Sequence, residues 1–135
     1  MKKAPVCLSL LALLVPMPAR AEWIEVAEST NHSTWWMDGS RVKLLNGKVH
    51  AWVKIDSSHD RTVKWSESKQ LVSFDCSAEK SRTLSVIRYD SYGKVVSSDT
   101  YPDYGYGVGY DPVVPDTVLE TVEKLACGLA EQGSQ

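Results

Sequence analysis

The stretch Ser57-Ser58-His59-Asp60 sets hydroxyl, imidazole and carboxylate groups side by side, the three group types of a nucleophilic triad. That chemistry needs the groups to converge on one reacting atom, and adjacent residues rarely do so. No G-x-S-x-G elbow frames a serine, which argues against a hydrolase. His32, His50 and His59 show no metal-ligand spacing and read as solvated surface histidines. Asp90, Asp99, Asp103 and Asp111 do not fit the D-x-[DN]-x-[DN]-G calcium loop and read as turn formers. No catalytic residue, metal site or cofactor is expected, and the chain reads as a non-enzyme.

The aromatic residues carry more information. Residues 89–110 hold six tyrosines and four glycines. Tyr104, Tyr106, Val108 and Tyr110 alternate with Gly105, Gly107 and Gly109, so an extended backbone would align the four larger side chains on one side. Trp35-Trp36 in a strand would point to opposite faces, one buried and one available to solvent. Trp52 lies on the mostly polar face of its strand. Tyrosine and tryptophan bury large areas at small entropic cost, which suits them to recognition. Trp52, Tyr104 and Tyr106 are therefore the candidate protein-binding surface, and Tyr110, next to the final helix, is expected to be buried. The alternative for each ring is packing at the sheet edge or against the helix.

These residues must be mounted on strands followed by one helix. "WIEVAE" (23–28) alternates as a first strand. In "RVKLLNGKVHAWVKI" (41–55), Asn46-Gly47 supplies the two positive-φ positions of a type I′ turn. Leu45 then faces Lys48 and Leu44 faces Val49. Val42, Leu44, Val49, Ala51, Val53 and Ile55 share the core face, while Lys43, Leu45, Lys48, His50, Trp52 and Lys54 share the other. "QLVSFDC" (70–76) puts Val72, Phe74 and Cys76 on one face. Residues 83–101 read as a second hairpin turning at Asp90-Ser91-Tyr92-Gly93. Alternation of this kind predicts an antiparallel sheet covered on one side. The cover is "PDTVLETVEKLACG" (115–128), with a Thr117/Glu120 capping box and the stripe Val118, Leu119, Val122, Leu125, Ala126. Gly128 is expected to stop the helix and residues 129–135 to fray.

The N-terminus indicates the compartment. Lys2 and Lys3, an apolar run over residues 6–15 and Ala19-Arg20-Ala21 form a secretory signal cut between Ala21 and Glu22. The run is too short to span a membrane, which takes roughly 20 apolar residues. Cys7 sits inside the run rather than at the cleavage point, so no lipoprotein anchor and no membrane span after cleavage are expected. Removing residues 1–21 leaves 114 residues, one domain's worth. It also removes Lys2, Lys3 and Arg20, taking the formal charge from −2 to −5. An acidic chain with no basic run is a poor nucleic-acid binder. Cys76 and Cys127 then remain; in an oxidising compartment they most simply form one disulfide, the alternative being two buried thiols. The fold class read from these elements is α+β: a single small antiparallel sheet covered by a C-terminal helix tethered by one disulfide.

Several of these pieces recur together in one family. Trp23, the hairpin ending "VHAWVK", the strand closing on "FDC", "RYDSYGKVV", and "VVPDT" before a helix ending at Cys127 resemble the bacterial surface-adhesin E family over residues 23–127. The resemblance implies the same sheet, helix and tether. It also implies an exported protein of a Gram-negative bacterium that binds host cells or extracellular-matrix proteins. The expected function is that of a non-enzymatic binding protein of the cell envelope, at the cell surface or in the periplasm. The alternative is a periplasmic accessory protein that binds a bacterial partner or peptide.

Overall fold

A computed structural model of the chain describes residues 16, 20–101 and 109–133. The expected cleavage point at Ala21 and Glu22 lies within these residues. Most of the expected leader, Tyr104, Tyr106 and Asp103 lie outside them.

Among the described residues eight strands form one sheet, all paired antiparallel. They are β1 (Trp23–Glu28), β2 (Thr34–Asp38), β3 (Lys43–Leu45), β4 (Lys48–Asp56), β5 (Glu67–Asp75), β6 (Lys80–Tyr89), β7 (Val95–Thr100) and β8 (Asp111–Pro112). The main order is β1-β2-β4-β5-β6-β7, with β3 also on β4 and β8 also on β6. A 3-10 turn, Gly39–Arg41, carries the chain from β2 to β3, and both strands then line the same edge of β4.

The β3–β4 hairpin has the register the turn residues dictate. Leu45 pairs with Lys48, Leu44 with Val49 and Lys43 with His50. Asn46 and Gly47 both take positive φ, 51° and 74°, the type I′ requirement. Burial then alternates strictly along β4: Val49, Ala51, Val53 and Ile55 are buried and the residues between them are not. Leu44 departs from its expected core position, being 57 % exposed. β3 is a three-residue edge strand, and Leu44 at its middle only borders the end of the helix, near Leu129 and Ala130. In the β6–β7 hairpin, the Asp90 carboxylate accepts from the amides of Tyr92 and Lys94, each at 2.9 Å, and Gly93 takes φ 79°.

The helix α1 (Val118–Gly133) covers one face of the sheet. Its start follows the capping box: Thr117 Oγ1 accepts from the Glu120 amide at 3.3 Å, and Glu120 Oε2 accepts from the Asp116 amide at 2.6 Å. Val122 and Ala126 are fully buried against Met37, Val49, Ala51, Val53, Ile55, Val72 and Phe74. The expected stop at Gly128 does not occur. Gly128 takes no positive φ, and Leu129 and Ala130 beyond it still pack on the core. That burial outweighs the ~1 kcal/mol helix penalty of glycine.

Cys76 and Cys127 are bonded, with a Cα–Cα distance of 6.1 Å and 51 residues of sequence separation. Because α1 continues past Gly128, Cys127 lies within the helix rather than at its end. Chain-entropy reasoning for a loop of this size gives about 4 kcal/mol, a large share of a small domain's stability. The variant with both Cys76→Ser and Cys127→Ser is expected to lose about 2–5 kcal/mol. Urea unfolding of the two proteins under non-reducing conditions measures the difference.

Candidate protein-binding surface

Because α1 takes one sheet face, the opposite face carries the alternate residues of each strand. Register places Glu25, Trp36, Lys54, Lys69, Ile87 and Ser98 in one row across the sheet. Trp52, Leu71, Ser85 and Thr100 form the next. Trp23 sits on this face at the β1 end and Tyr89 pairs with Glu67 toward the β6 end. Among the described residues no helix lies over this face. Its rings and aliphatic side chains are half-buried.

Two lysines hold the rings in place. Lys54 Nζ lies 4.9 Å from the Trp23 ring centre and 5.0 Å from that of Trp36, so one ammonium is shared by indoles from β1 and β2. Lys69 Nζ stands 5.1 Å from the Tyr89 ring and 3.8 Å from Glu67. Each such contact is worth about 0.5–1 kcal/mol at a surface. Lys54 and Lys69 are directly opposite each other, an arrangement that costs stability between like charges. Asp56 and Glu67 in the adjoining row supply the compensating negative charge.

Trp52 is on this open face, as its alternation requires, beside Leu71. Trp35 and Trp36 point to opposite faces: Trp35 packs on the core, Trp36 against Lys54. Tyr110 departs from expectation. It is half-buried rather than buried and belongs to the open face, not the helix side. Its hydroxyl meets Ser73 Oγ at 2.8 Å and Lys48 Nζ lies 5.2 Å from its ring. The reason is that β8 pairs with β6, so Tyr110 enters across the sheet before the chain turns toward α1. Tyr92 and Tyr101 are exposed. The Trp23–Lys54–Trp36 sandwich was missed by reasoning within single strands, because it depends on which strands become neighbours.

The Ser-His-Asp stretch does not assemble a triad: Ser57 and Asp60 are buried and both accept from the Ser33 hydroxyl, at 3.3 and 3.4 Å, with no imidazole between them. Asp60 is buried and accepts from Asn31 Nδ2 at 2.7 Å and from the Thr62 amide and hydroxyl at 2.8 and 2.6 Å. The Thr62 hydroxyl and amide hold its carboxyl below the ordinary range. Ser58 and His59 are exposed. His32 approaches Glu28 at 3.4 Å. Asp99 binds Arg88 at 2.8 Å. Among the described residues no three His, Cys, Asp or Glu groups could hold a metal ion.

A family model described as surface-adhesin protein E matches residues 23–128. The chain belongs to the surface-adhesin protein E family. No curated protein and no solved structure is matched. Among the described residues, no helix of this family member is long and apolar enough to cross a membrane.

A second site feature lies on the helix side. A cleft of about 170 Å³ is lined by Cys76, Glu79, Val113, Glu120, Glu123 and Cys127, among others. Glu123 is only 6 % exposed, and its buried Oε1 accepts no hydrogen bond. Burial, with added repulsion from Glu79 and Glu120, raises its pKa above the ordinary carboxylate value; nearby Lys124 opposes this only weakly. A raised folded-state pKa means stability is fully present below the unfolded value and is lost as pH rises through the folded one. Glu123→Gln is therefore expected to raise the melting midpoint at neutral pH, with the gain disappearing in acid. Melting curves of both proteins across that range check the sign.

Proposed function

We propose that the protein is an exported, non-enzymatic binding protein of the bacterial cell envelope whose open sheet face holds a protein partner. Membership of the surface-adhesin E family supports an adhesin-like role, with host cells or extracellular-matrix proteins as the partners. The observation that carries the reading is the aromatic array on the face away from the core: Trp23 and Trp36, braced by Lys54, with Trp52 in the next row beside Leu71. Such rings are already oriented, so a partner loses little side-chain entropy in ordering them. Tryptophan is among the residue types enriched in the desolvated hot spots of interfaces.

The test has two parts. Extracellular protease applied to intact cells should cleave the native protein; protection would assign it to the periplasm and to a bacterial partner. Trp36→Ala and Trp52→Ala should weaken binding to immobilised extracellular-matrix proteins by about 2 kcal/mol, on the order of thirtyfold. Melting curves should show a smaller effect than binding does. If affinity falls only as far as stability falls, the open face is packing and not a recognition surface.

A further inference from the structure

The end of β2 holds a carboxylate whose bonding is lopsided. Asp38 is fully buried. Its Oδ1 accepts from three donors: the Glu22 amide at 3.1 Å, the Ser40 amide at 3.0 Å and the Ser40 hydroxyl at 2.6 Å. Its Oδ2 is buried and accepts no hydrogen bond; Arg41 Nε, on a half-exposed side chain, stands 3.6 Å away. A buried ionised carboxylate is costly unless it is paired and its oxygens are satisfied.

The donor on Oδ1 that comes from furthest along the chain is the nitrogen of Glu22, the residue expected to follow the signal-peptide cut. Glu22 is held there at both ends, because its carbonyl also accepts from the Gly39 amide at 2.9 Å. Gly39 leaves room for this arrangement, since a Cβ there would press on Ile24 Cδ1 at 2.6 Å.

We propose that Asp38 is the receptor for the new N-terminus: hydrolysis of the Ala21–Glu22 bond creates an α-ammonium that docks on the buried Asp38 carboxylate. The inference rests on the reading that the chain is exported and trimmed after Ala21. In that step an export endopeptidase adds water across the amide; the C–N bond breaks, Ala21 leaves with a carboxylate and Glu22 keeps an ammonium. An amide nitrogen offers Asp38 one proton and no charge. The ammonium offers three protons and a positive charge at the same position, enough to serve Oδ2 as well as Oδ1. Charge-assisted bonds of this type are roughly twice as strong as neutral ones. Cutting would thus complete the bonding of a group that the uncut chain leaves half satisfied, and tie the residue just before β1 to the end of β2.

The experiment uses the full-length chain, expressed with its own N-terminus in a Gram-negative host and purified after export. Intact mass locates the first residue. The native protein and the same protein unfolded in urea are then treated with an amine-acylating reagent, and the N-terminal peptide is followed by mass spectrometry. The native α-amine should react on the order of tenfold more slowly, the ratio that about 1.4 kcal/mol of docking produces. In Asp38→Asn, which keeps the Oδ1 acceptor but removes the charge, the native rate should rise toward the unfolded one. Should that variant fail to accumulate, the native-to-unfolded ratio of the unmodified protein decides. A first residue other than Glu22 overturns both the trimming and the docking. A chain that does begin at Glu22 but whose native α-amine reacts as fast as the unfolded one overturns the docking alone.

Discussion

The packing of one helix on one sheet face sets the terms for everything else in this molecule. Val122 and Ala126 reach Met37, Phe74 and the buried residues of β4, and the Cys76–Cys127 bond fixes the helix against the sheet from a distant point in the chain. A strand alternates its side chains, so burying Val49, Ala51, Val53 and Ile55 commits Lys48, His50, Trp52 and Lys54 to the other side. With one α-helix among the described residues for two faces, the second face is stabilised by its own side chains. The lysine–aromatic contacts across β1, β2, β4, β5 and β6 do that.

Three buried carboxylates show how the small core handles charge. Asp60 is well supplied, with Asn31 and Thr62 donating to both its oxygens. It links the β1–β2 loop to the loop between β4 and β5 and serves the fold. Asp38 and Glu123 each keep one buried oxygen without a hydrogen bond. Such groups lower stability where nothing partners them, so they are the places where the folded chain has capacity for a further interaction.

Much of the fold was legible because the signals were local. Asn46-Gly47 sets a two-residue turn, and that single feature assigns every side chain of β3 and β4 to a face. Thr117 and Glu120 mark the helix start for the same reason. The errors came where tertiary packing outweighed local preference. Gly128 is a natural stop, yet Leu129 and Ala130 find core contacts and carry the helix through it. Leu44 has the right parity for burial but sits on a three-residue edge strand that meets only the end of the helix. Proximity to the helix in sequence points Tyr110 toward the core, whereas the β8–β6 pairing sends it to the open face. On the candidate surface, Trp52 could be assigned from alternation alone. The Lys54 sandwich could not, since Trp23, Trp36 and Lys54 come from three strands whose order only the assembled sheet defines. Tyr104 and Tyr106 lie outside the described residues.

The helix covers one face of the sheet, and among the described residues the aromatic face is left open. Trp35 and Trp36 are adjacent residues on opposite faces, and they provide an internal control. The Trp35 indole nitrogen is buried, while Trp36 and Trp52 look outward. The most direct measurement is the relaxation of the indole N–H proton resonances by a soluble paramagnetic agent. If one face is open, the Trp36 and Trp52 signals broaden strongly and the Trp35 signal is spared. Equal protection of all three would mean that the second face is covered too, and would contradict the division of the sheet into a helix-covered side and an open side.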